Sequence, residues 1–197
     1  MDYKKKIRQK IEKMGGFIIS GELVNYNIPT IYLTRMVEAG ELVREERGVY
    51  LSAKGDYDEY YFFQNKYKVA IYSYVSALYL FQFTDIIPSE LEVTVYKGYN
   101  ASRIQSDKRV HYVTKDIYEL GITQCKTIYG NKVNVYDLER TICDFVKNRN
   151  KVEAELFSKI ITRYVRYRNK DFNKLYTYAK KMNIYDKVKD IFGVIYE

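Results

Sequence analysis

Ser20-Gly21-Glu22-Leu23-Val24, then Asn27-Ile28-Pro29-Thr30, then Leu42-Val43-Arg44 and Gly48-Val49-Tyr50-Leu51 decide how this chain folds. The first group starts a helix. Asn27-Ile28-Pro29 breaks it, and Pro29-Thr30 opens a second, because proline is tolerated in a first helical turn. Gly40 ends the second helix. The last two groups pair as a short ribbon around Glu45-Glu46-Arg47-Gly48. A helix, a tight turn, a second helix and a ribbon, in that order, predict a winged helix-turn-helix, a fold that usually binds DNA.

Working outward, Ile7, Ile11 and Met14 fall at i, i+4 and i+7 and predict one face of a preceding helix. Its other side carries Lys4, Lys5, Lys6, Arg8, Lys10 and Lys13. Residues 1–52 are therefore expected to form the winged domain. Ala53-Lys54-Gly55-Asp56 is short and polar and is expected to be a hinge, with a second domain over 57–197. There, Asp58–Lys68 and Val69–Phe81 read as helices, and Pro88 stops that region. Leu91–Tyr96 and Val110–Thr114 read as strands, and residues 126–135 as a hairpin about Gly130-Asn131. Tyr136–Lys147, Glu153–Arg168, Phe172–Met182 and Tyr185–Ile195 read as helices. The expected class is α+β, a winged helix-turn-helix followed by a mixed α/β domain with a small sheet and a helical tail.

The 197 residues allow one domain or two small ones, and an apolar fraction of 47% suffices for a core. No run approaches the roughly 20 apolar residues of a membrane span. Met1-Asp2-Tyr3-Lys4 lacks the apolar segment of a signal peptide. Cys125 and Cys143 have no metal or redox spacing, which fits a reducing compartment. A cytoplasmic protein without a membrane partner is expected. The net charge of +8 favours polyanionic partners. Residues 1–52 hold nine Lys/Arg against seven Asp/Glu, while residues 151–197 hold eleven against six. The excess thus sits mainly in the tail.

On the helix from Thr30 to Ala39, Leu33, Met36 and Val37 share one face, which should pack inward. At about 100° per residue, Ile31, Thr34, Arg35 and Glu38 point away, with Tyr32 on the flank. Arg35 can pair with guanine, Thr34 with base or phosphate, and Ile31 with a thymine methyl. Thr30, at the helix start, is either a cap or a phosphate ligand. In the ribbon, Arg44 and Arg47 are candidates for phosphate or minor-groove contact. The acids Glu38, Glu45 and Glu46 would oppose DNA if they faced it.

The phrases Ala39-Gly40-Glu41-Leu42-Val43-Arg44 and Arg47-Gly48-Val49-Tyr50-Leu51 resemble the N-terminal domain of AbiEi-family antitoxins. Ser73-Tyr74-Val75-Ser76-Ala77-Leu78-Tyr79-Leu80, then Phe83-Thr84-Asp85 and Pro88, is similar to that family's helix and loop before the first sheet strand. Val135-Tyr136-Asp137-Leu138-Glu139-Arg140-Thr141-Ile142-Cys143-Asp144 resembles its Glu-Arg-Thr helix. The resemblance implies a bacterial type IV antitoxin of abortive infection against phage. It implies a winged domain that represses the operon by binding inverted repeats in double-stranded promoter DNA. It also implies a C-terminal domain that opposes an AbiEii-type nucleotidyltransferase toxin without a stable complex.

No catalytic set, cofactor or metal site emerges from the residues. Gly15-Gly16 and Asp56-Tyr57-Asp58 supply the elements of a nucleotidyltransferase site, but at a separation too wide for one. Asp137, Glu139 and Asp144 do not converge at 100° per residue, and the first two suit the first turn of a helix. Arg140 is expected to pair within the fold, Cys143 to be core, and His111 to have no partner signature. In the tail, Lys159, Arg163, Arg166 and Lys170 fall at i, i+4, i+7 and i+11, one stripe of a helix. That stripe reads as a solvated face or as a surface for antitoxicity or a second nucleic-acid contact. A plain transcriptional regulator whose C-terminal domain senses a ligand or partner is the alternative to the antitoxin.

Overall fold

A computed structural model describes residues 2–104 and 108–193. Its contacts divide into two compact units, Met1–Phe62 and Phe63–Glu197. The architecture is mixed α/β with two small sheets, in agreement with the α+β expectation.

The first unit begins with α1, Tyr3–Lys13, capped by Asp2, whose side chain accepts from the Lys5 amide at 3.0 Å. Ile7 and Ile11 are buried, and Lys10 and Lys13 sit in the last turn, where cations complement the helix dipole. β1, Phe17–Ile19, follows, then a 3-10 helix over Ser20–Tyr26 that ends at Asn27 in the left-handed region. Where the sequence predicts an α-helix from Ser20, the chain takes the tighter form. α2 spans Ile31–Glu38, β2 Val43–Glu46 and β3 Val49–Leu51. The strands form an antiparallel sheet in the order β1-β3-β2, with Phe17 opposite Leu51 and a bulge between Arg44 and Glu46. One cluster gathers Ile7, Ile11, Ile18, Leu23, Leu33, Met36 and Leu42. Another places Phe17, Ile19, Val49 and Leu51 against Phe62.

The boundary between the units falls inside α3, Glu59–Lys66. The second unit has β4, Ile71–Tyr72; α4, Tyr74–Leu80; β5, Leu91–Tyr96; and β6, Lys108–Val113. It continues with α5, Lys115–Tyr118; β7, Ile122–Lys126; and β8, Lys132–Tyr136. Four longer helices close it: α6, Leu138–Lys147; α7, Ala154–Arg166; α8, Phe172–Lys181; and α9, Tyr185–Phe192. The expected end of the last helix at Ile195 lies outside the described residues. The sheet order is β6-β5-β4-β8-β7, with β5–β6 and β4–β8 parallel and the other pairs antiparallel. Val69–Phe81, predicted as one helix, is instead a two-residue strand and a helix that starts at Tyr74, itself at φ +50°.

α6 is the centre of the second core. It buries Ile142, Cys143, Phe145 and Val146 against Ile160, Tyr164, Leu175 and Phe192. It also buries Arg140 completely, so its polar side must be satisfied inside the protein. No helix among the described residues is long and apolar enough to cross a membrane.

Candidate nucleic-acid interface

α2 presents the face that its periodicity predicts. Leu33 and Met36 are buried, whereas Thr30, Ile31, Thr34, Arg35 and Glu38 are exposed. Tyr32 is half-buried, its ring 5.0 Å from that of Tyr3 on α1. The Arg35 guanidinium lies 5.4 Å from the Tyr32 ring and makes no ion pair among the described residues. Thr30 occupies the N-cap position, but its side chain makes no capping bond. Its hydroxyl is thus not committed to the helix start.

Arg44 and Arg47 are both exposed on the ribbon of β2 and β3. Nearby acids are partly drawn inward. Glu41 accepts from Arg8 Nε at 2.9 Å and Nη2 at 3.2 Å, with Lys4 Nζ at 3.8 Å. The Arg8 hydrogen bond holds the Glu41 carboxyl below the usual carboxylate range. Glu46 accepts from the Tyr57 hydroxyl at 3.4 Å. Burial, reinforced by Glu46, pushes the Tyr57 phenol up to about 12. Glu38 and Glu45 remain exposed. The sequence reading did not include Val24 and Tyr26, which are 70% and 55% exposed. Tyr26 carries the Lys10 ammonium over its ring.

The basic stripe of the tail is shorter than its spacing predicts. Lys159, Arg163 and Arg166 lie exposed on α7, while Phe157, Ile160 and Tyr164 face the core. Lys170 is not on that helix. The chain turns extended at Tyr167, and the Lys170 ammonium instead donates to the Tyr167 carbonyl at 3.2 Å. Lys159 pairs with Glu155 at 2.6 Å, and that hydrogen bond raises its pKa. Arg163 reaches the loop after α4. It donates to the Gln82 carbonyl at 3.2 Å, lies 3.7 Å from Asp85 and covers the Phe83 ring at 5.4 Å. Open clefts of about 590 and 330 Å³ flank this region, and Phe83, Arg163 and Arg166 line both.

The constellations set aside in the sequence have structural roles. Gly16 is a crossing point of backbones: a Cβ there would stand 2.5 Å from Gly55 Cα. Ser52 donates to the Gly16 carbonyl through both its amide and its hydroxyl. The Asp58 carboxylate is buried and accepts from the Tyr61 amide at 3.1 Å. Asp137 caps α6 through the Arg140 amide at 2.9 Å, and its other oxygen meets Lys174 at 2.9 Å. Glu139 accepts from the Tyr164 hydroxyl at 3.2 Å and the Asp171 amide at 3.1 Å. Arg140 lies 3.2 Å from Asp144, donates to the carbonyls of Ile117 and Leu120, and covers the Tyr136 ring at 4.0 Å. Burial raises the Asp144 pKa, and Arg140 opposes that shift. His111 does have a partner: its Nε2 is 2.8 Å from the buried Glu92, and its ring stacks on Tyr74 at 4.0 Å. No group of three His, Cys, Asp or Glu among the described residues could hold a metal ion.

Comparison with known proteins adds two findings. Residues 5–53 match the family described as "Transcriptional regulator, AbiEi antitoxin", so α1 through β3 are similar to that family. No curated protein matches the chain. A solved structure titled "Crystal structure of RV2827C protein from Mycobacterium tuberculosis" is similar with a TM-score of 0.58 at 8% identity, over 95% of this chain and 77% of that one. At that identity the likeness is one of fold.

Proposed function

We propose that this chain is an AbiEi-type antitoxin and transcriptional autorepressor. Residues 1–52 act as a winged helix-turn-helix on inverted repeats of its own promoter, with α2 in the major groove and β2–β3 as the wing. The second unit, Phe63–Glu197, counteracts a nucleotidyltransferase toxin without a stable complex, limiting phage spread. The protein works by binding, without catalysis, in the cytoplasm. One observation carries this reading: the family match over residues 5–53 coincides with the segment in which α2 exposes Ile31, Thr34 and Arg35.

The chemistry supports the assignment of roles. Arg35 has an unpaired guanidinium on the outward face, suited to bidentate reading of guanine. Arg44 and Arg47 suit phosphate contacts that fix register, and Thr30 has a hydroxyl free for the same task. Tyr32 supports Arg35 from the side. In the second unit, Lys159, Arg163 and Arg166 form the surface used in antitoxicity, with Lys170 on a neighbouring turn.

The test is fluorescence anisotropy of the full chain on its upstream promoter duplex and on a scrambled duplex, over a salt series. The reading requires preference for the promoter, and equal affinity for both duplexes would overturn it. One observation favours the plain regulator instead: the family match ends at residue 53. Co-expression with a nucleotidyltransferase encoded beside the gene separates the two, because only an antitoxin restores growth.

A further inference from the structure

The two clefts beside α7 share a ridge of arginines. The larger lies against Ile86 and Leu156 and includes the hydroxyl residues Ser158 and Thr162. The smaller lies against Phe81 and Tyr167 and includes Arg168. Arg163 donates to the Gln82 carbonyl and lies 3.7 Å from Asp85, an exposed carboxylate that also lines the larger cleft. Arg166 and Arg168 are exposed and make no hydrogen bond or ion pair among the described residues. The ridge thus combines one braced guanidinium with two uncommitted ones, and an apolar or aromatic wall stands on each side.

We infer that this ridge binds a phosphate of a single-stranded nucleic acid, with the two neighbouring nucleosides lying in the flanking clefts. This deepens the reading of the C-terminal basic surface and is independent of promoter binding by the first unit. Three physical points select that ligand. Guanidinium groups match phosphate oxygens in a planar fork, which the ammonium of a lysine cannot do. Clefts of a few hundred Å³ are the size of small-ligand sites, and a nucleoside can enter them. Bases inside a duplex are stacked and cannot enter, whereas unstacked bases lie readily on aromatic walls. An acidic protein would satisfy the arginines but leave the two walls unused. Lys159, which also lines the larger cleft, pairs with Glu155 at 2.6 Å.

The experiment uses the full chain and a fluorescein-labelled eight-residue oligouridylate, with the matching deoxyuridylate as a second probe. Arg166→Ala should weaken binding at least about tenfold and reduce the salt slope by about 0.7, the value for one phosphate on a single strand. Tyr167→Leu should weaken binding with the slope unchanged, and Lys187→Ala, at an exposed lysine that lines neither cleft, should have little effect. Arg168→Ala provides a second, independent charge removal, and thermal unfolding checks every variant. Preference for the ribonucleotide would assign the ligand as RNA, and equal binding would assign recognition to phosphate and base. Arg35→Ala should retain strand binding even where promoter recognition is lost, so failure of either reading is seen separately. The inference is overturned if neither strand binds. It is also overturned if Arg166→Ala and Arg168→Ala both bind as wild type, or if random duplex competes as well as unlabelled strand.

Discussion

Replacing Arg140 with methionine should destabilise the second unit by about 3–5 kcal/mol at neutral pH, the usual cost of removing one partner from a buried ion pair. The side chain is fully buried, so water does not replace what is lost. The substitution strands the Asp144 carboxylate, now 3.2 Å from Arg140 Nε, and removes the donor to the Leu120 carbonyl at 2.6 Å. The penalty should depend on pH. Burial already lifts the Asp144 pKa above 3.8, and Arg140 is the main influence holding it down. Without Arg140 it rises further. A carboxyl raised in the folded state binds its proton more tightly there than in the unfolded chain. Its contribution is therefore greatest at the acidic end and is lost as pH rises from the unfolded value through the folded one. Urea unfolding followed by circular dichroism at pH 5 and pH 7.5 measures this. The loss should be smaller at pH 5, and adding Asp144→Asn should restore much of the difference. A loss under about 1 kcal/mol at neutral pH, or one equal at both values, would refute the argument.

Three further outcomes are expected. Arg35→Ala should cost about 1–3 kcal/mol on promoter duplex and relax base preference, whereas Arg47→Ala should weaken all sequences alike and lower the salt slope by about one unit. Anisotropy on promoter and scrambled duplexes distinguishes them, and an unchanged specificity ratio for Arg35→Ala would count against its role. Gly16→Ala should destabilise the first unit by at least about 1–3 kcal/mol, because φ is +96° and the new methyl meets the Gly55 backbone. A melting temperature equal to wild type would contradict it. A fragment of residues 1–62 should keep its fold but bind promoter more weakly than the full chain at equal salt, because most of the excess positive charge lies in the tail; equal affinity would exclude the tail.

Periodicity made the outward face of α2 legible, since Leu33 and Met36 set its phase without any knowledge of partners. The same reasoning makes α6 legible, and Arg140 pairs within the fold as expected. β1 and β4 were not legible. They are three and two residues long and buried, so they show neither alternation nor length. The partner of His111 was hidden for another reason. Glu92 meets it through the parallel pairing of β5 with β6, which no local pattern specifies. The stripe on α7 failed at its end, where Tyr167 leaves helical geometry before Lys170. The two clefts beside α7 are not legible at all, because Arg163 and Gln82 are far apart in sequence and joined only by folding.

Strand order also sets a timetable for synthesis. β1 meets β3 at Phe17 and Leu51, so the first sheet is complete soon after it is made. β4, at the middle of the second sheet, waits for β8, because Tyr72 pairs with Val135. At roughly 5–20 residues per second, that wait lasts roughly 3–13 s on the ribosome. During it, β4 already has β5 available on one side, and its other edge is open. An open edge invites pairing with another chain, and shortness is one of the ways that natural sheets blunt it. With only Ile71 and Tyr72 in the strand, the nascent sheet offers a neighbouring polypeptide almost nothing to extend.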